Sequence, residues 1–65
     1  MKIVRQSMFT GKIHVLDLPI TESQLERYER GEDLIQNIFP ELNPDQREFI
    51  KTGVTKEEWE TVFNE

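Results

Sequence analysis

Sixty-five residues, a net charge of −5, 35% hydrophobic content and no cysteine describe one small acidic domain, residues 1–65, that folds without disulfides or thiolate–zinc sites. A core this small leaves about 3–5 kcal/mol of stability, so self-association into a homo-oligomer is expected. The basic start "MKIVRQSMF" runs into no long apolar stretch, so neither a signal peptide nor a membrane span is expected, and the chain is read as soluble and cytoplasmic.

The charge is unevenly spread. Lys2, Arg5 and Lys12 meet no acid in residues 1–16, whereas all 13 acidic residues follow from Asp17 onward. The overall sign repels nucleic acid at long range, which argues against double-stranded DNA as a partner. It also confines any anion-binding surface to the first strand pair.

In chain order, residues 1–18 read as a β-hairpin and 19–65 as a helical part of the same domain. "KIVRQSMF" and "KIHVLDL" are rich in β-branched residues and flank "TG", where Gly11 can take a positive φ. Pairing Met8 with Ile13 collects Val4, Met8, Ile13 and Val15 on one apolar face. Arg5, Ser7, Lys12 and His14 then form a solvated face, with Phe9 near the tip. Gln6 and Asp17 fit this apolar face poorly.

"PITESQLERYERG" predicts a helix with Thr21 as N-cap and Gln24 completing a capping box. Ile20 and Leu25 take the staple positions, and Gly31 supplies the stop. "DLIQNIFP" predicts a short central helix through Leu34, Ile35, Ile38 and Phe39, ended by Pro40. "NPDQREFIKTG" follows, with Asn43 as cap, Pro44 in the first turn, Gln46 as the box partner and Gly53 as the stop. "VTKEEWETVF" repeats the pattern with Thr55, Glu58 and a Val54–Trp59 staple, and turns Trp59, Val62 and Phe63 inward. The fold class is α+β, in ββαααα order.

The last two helices, joined by "TGVT", imitate a DNA-binding helix-turn-helix. The likeness breaks at Phe49, where a small residue is needed, and at Glu57, Glu58 and Glu60, which phosphates would repel. Catalytic patterns are equally thin. Ser7, His14 and Asp17 suggest a hydrolytic triad, but Asp17 projects to the opposite face and a hairpin offers no oxyanion hole. One histidine and no cysteine leave no metal site, no spaced carboxylates form a calcium loop, and the three glycines stand singly. No enzyme activity and no cofactor are expected.

Two binding devices remain. Arg5, Lys12 and His14, with Phe9 as a stacking surface, would hold a small anionic nucleotide. The acidic helices would meet a basic protein partner. The run "TGKIHVLDLPIT" followed by "LIQNIFPELNPDQREFIKTGVTKEEWETVF" resembles short proteins encoded by tailed phages and related mobile elements. That resemblance implies a shared fold and an accessory role inside a host cell. The leading expectation is therefore a viral protein that binds a host protein, as an inhibitor of a host enzyme or as an anti-defence factor. The alternative is an oligomeric sponge for an anionic nucleotide.

Overall fold

The computed structural model describes the backbone of residues 1–63 and the side chains of residues 1–62. Strands β1 (Lys2–Gln6) and β2 (Ile13–Asp17) pair antiparallel, with Val4 opposite Val15 and Gln6 opposite Ile13. The expected pairing of Met8 with Ile13 is thus two residues out of register. The cause is the loop. Ser7 N–H donates to Lys12 O at 2.8 Å and Gly11 N–H returns to Ser7 O at 2.9 Å, closing the ladder one step before Met8. Ser7 Oγ accepts from the amides of Phe9 and Thr10 at 3.2 and 3.3 Å, a side-chain turn that leaves Met8 at the tip. Met8 N–H goes instead to Thr52 O at 3.1 Å.

A two-residue slip keeps the same side chains together on each face, but the faces are used the other way round. The side carrying Ile3, Arg5, Ser7, His14 and Leu16 packs inward; Val4, Ile13 and Val15 are exposed. Of the basic face expected in solvent, Ser7 is buried and Arg5 and His14 are half-buried against the helices, while Lys12 stays exposed. Ile3 and Leu16 belong to the same face, and they join the core that Leu18 and Ile20 continue.

Four helices follow: α1 (Glu22–Glu29), α2 (Ile35–Ile38), α3 (Pro44–Thr52) and α4 (Lys56–Phe63). Thr21–Gln24 and Asn43–Gln46 form full capping boxes, with Pro44 in the first turn of α3. Glu58 N–H donates to Thr55 Oγ1 at 3.3 Å while Glu58 Oε1 accepts from Thr55 N–H at 3.0 Å, which makes the third box. Gly31 closes α1 with paired bonds, Gly31 N–H to Tyr28 O and Glu32 N–H to Arg27 O, both 3.0 Å. Ile3, Leu18, Ile20, Ile38, Phe39, Leu42, Phe49 and Ile50 make one core, with Leu25 and Tyr28 packed on it.

Two expectations about the helices need correction. Leu34, assigned to the core, is exposed, because it is the extended N-cap of α2 with its amide held by Asp33 Oδ1 at 2.7 Å. Val62, assigned to an inward stripe, is also exposed, while the side chain of Phe63 lies outside the described residues. Among the described residues no helix is long and apolar enough to cross a membrane.

Candidate functional site

The hairpin gathers every residue assigned to ligand binding, but the fold separates their tasks. Arg5 reaches α3: its Nε donates to Ile50 O at 3.3 Å and its Nη1 to Val4 O at 2.9 Å. The carbonyl at Ile50 belongs to the last turn of a helix, where a cation is favoured. Two arms of the guanidinium fork are therefore occupied within the fold. Phe9 leans on α4, edge to face with Trp59 at 4.9 Å between ring centroids. Only Lys12 and His14 of the four assigned residues line a common groove.

That groove, of about 470 Å³, runs between β2 and α4, with Leu16, Thr55, Glu57 and Val62 along it. Its polar centre is Glu58, expected from the sequence as the box partner of Thr55 and as one of the acids that disfavour DNA, not as part of a site. As the third residue of the Thr55 box, Glu58 points one carboxylate oxygen back at its own helix. The other oxygen, Oε2, accepts from the Thr10 hydroxyl and lies 3.1 Å from His14 Nε2. The imidazole nitrogen is buried and has no regular hydrogen-bond partner; the Glu58 carboxylate is the charge beside it. The Thr10 hydroxyl, then the Thr55 amide, with smaller help from His14 and Ser7, hold the Glu58 carboxyl down at about 2 against the opposing effect of burial. One carboxylate thus binds the hairpin tip, β2 and the start of α4 together.

Gln24 shows the same dual use. Its Oε1 accepts from Thr21 N–H at 2.9 Å, and its Nε2 donates to Ile38 O at 2.8 Å, fastening α1 to α2. Gln24 and Glu58 thus each cap one element and hold another, whereas Gln46 serves only its own cap. The only sequence signal for the Glu58 cluster is a box acid, a single histidine and a tip threonine, widely separated along the chain.

Ser7, His14 and Asp17 do not assemble. Ser7 Oγ serves the loop amides, and Asp17 sits on the outer face beside the Met1 ammonium at 3.0 Å. The carboxylate that meets His14 is Glu58. Among the described residues no cluster of His, Asp and Glu has the arrangement of a metal site.

The outer hairpin face has the opposite character. Val4 is 54%, Val15 56% and Ile13 63% exposed, with Met8 74% exposed at the tip. Val4 and Val15 are direct cross-strand neighbours, and Ile13 is opposite Gln6. Lys2 and Asp17 close the far end as a pair of opposite charges. No protein-family model, curated protein or solved structure matches this chain.

Proposed function

We propose that the protein is a small non-enzymatic interaction module that binds another protein through the outer face of its hairpin. The observation that carries this reading is the apolar row Val4, Val15 and Ile13, each more than half exposed on one sheet face. Burying a Val or Ile side chain contributes about 1.5–3 kcal/mol, so the isolated chain forgoes stabilisation here that a partner would recover. Glu22, Glu26, Glu29, Glu57 and Glu60 are exposed on the helices and would favour a basic rim on that partner. With the resemblance to phage-encoded accessory proteins, the partner is a host protein met in the cytoplasm, and inhibition of a host enzyme or defence complex is the form the binding takes. The alternative, an oligomeric sponge for an anionic nucleotide, is supported by Lys12 and His14 in the groove. Glu57 and Glu58 line that same groove, and Arg5 is engaged at Ile50, which weighs against it.

A photocrosslinking side chain at Val4, expressed in host cells, tests the choice. The expected result is a heterologous adduct that excess wild-type protein competes away and the Val15→Lys variant does not. No such adduct, together with calorimetric nucleotide binding that Arg5→Glu/Lys12→Glu abolishes, would reverse the assignment.

A further inference from the structure

We propose that β2 pairs edge to edge and antiparallel with β2 of a second copy, joining two hairpins into one four-stranded sheet with a continuous apolar outer face. The two edges of the hairpin differ. Along β1, Thr52 O takes the Met8 amide at 3.1 Å, Arg5 Nη1 covers Val4 O at 2.9 Å, and Gly53 presses against the Gln6 carbonyl. The end of α3 occupies that side.

Nothing comparable lies along β2. In an antiparallel ladder, alternate residue pairs exchange both bonds while the pairs between them point outward. Leu18 N–H to Met1 O at 2.9 Å and Ser7 N–H to Lys12 O at 2.8 Å set the phase, so Ile3–Leu16 and Arg5–His14 are the bonded pairs. The backbone N–H and C=O groups of Ile13, Val15 and Asp17 therefore face away from β1. No described group bonds them. Within Ile13–Asp17 there is no proline, no lysine and no bulge in the five-residue register, and the one carboxylate, Asp17, stands at the end of the strand.

A second copy fits this edge because the strand is complementary to itself. A two-fold axis through Val15 sets Val15 against its mate and Ile13 against the mate's Asp17. It lays the Lys12 end of each strand along the Asp17 end of the other, and both of these charges are exposed. Every contact is then made twice, as an isologous interface requires. On the outer side the two Val4–Val15–Ile13 rows become one surface. That this doubled surface is the docking site rests on the protein-binding reading above; the strand pairing does not.

Light scattering at high micromolar concentration should give twice the 7.8 kDa chain mass. Val15→Pro removes an outward N–H that the hairpin ladder does not use, so it should return the mass to one chain with an unchanged far-ultraviolet spectrum. A second comparison decides the question even where proline disturbs folding. Because the chain has no cysteine, Val15→Cys can form only an intermolecular disulfide. Paired Val15 positions would lie about 5.5 Å apart, within disulfide reach, whereas Val4 positions would be three strand spacings, about 14 Å, apart. Val15→Cys should therefore oxidise to covalent dimer at least tenfold faster than Val4→Cys. A single-chain mass at every concentration, or equal oxidation of the two variants, overturns the pairing. If Val15→Pro is monomeric yet still yields the Val4 crosslink, the doubled docking surface falls and the binding reading stands. If the dimer forms and no crosslink appears in cells, the pairing stands and the binding reading falls.

Discussion

Gly53 combines two demands that only glycine meets. Its φ of 76° is left-handed, and a Cβ there would come within 2.3 Å of Gln6 O, a backbone atom that cannot swing aside. The conformational strain alone costs about 1–3 kcal/mol in a non-glycine residue. Gly53→Ala should lower the melting temperature by more than roughly 4–8 °C, the shift that 1 kcal/mol gives in a domain this size; calorimetry reads it directly. The stop signal at Gly53 was legible from its place after "REFIKT". Its contact with β1 was not, because nothing local in the sequence relates Gly53 to Gln6. Glu58 makes the same point with charge. Its carboxyl ionises at about 2 in the fold, below the ordinary 4.5, so the stabilisation is present above pH 4.5 and is lost as the pH falls toward 2. Urea midpoints between pH 2 and 6 should show that loss in the wild type and a flatter profile in Glu58→Gln.

At the scale of elements, the helix boundaries were readable and the strand pairing was not. A capping box is a contact over three residues, so Thr21, Asn43 and Thr55 announce themselves without knowledge of the rest of the fold. Removing an N-cap costs about 1 kcal/mol. Thr55→Ala should exceed Thr21→Ala in denaturant titrations, because Thr55 also positions the carboxylate that Thr10 and His14 share. The hairpin register depends on Ser7 Oγ folding the loop and on Thr52 O taking the Met8 amide. The first is a weak local signal, and the second comes from a residue far along the chain. The Phe9–Trp59 contact then fixes the loop against α4. Such aromatic pairs contribute about 0.5–1.5 kcal/mol beyond area burial. Phe9→Leu should destabilise by that order and shift the emission of Trp59, the single tryptophan.

For the whole molecule, the decisive fact is which side of the hairpin meets the helices. Pattern alone favours burying Val4, Ile13 and Val15, since the other face carries Arg5, Ser7 and His14. The fold does the reverse, because Ile3, Leu16, Leu18 and Ile20 extend the core on that other side. Arg5 reaches Ile50 O and Ser7 takes the loop amides, while His14 Nε2 lies 3.1 Å from the Glu58 carboxylate. The partners of Arg5 and His14 exist only once α3 and α4 are in place, so strand alternation does not supply them. The functional reading follows from this inversion: Arg5 and His14 are turned against the helices, and the apolar Val4, Ile13 and Val15 face outward. Methyl NMR with a soluble gadolinium chelate tests it most directly. Strong broadening of the Val4, Ile13 and Val15 methyl signals is expected, with little effect on Ile3, Leu18 and Ile20. Protected Val4 and Val15 methyls beside a broadened Ile3 would contradict it.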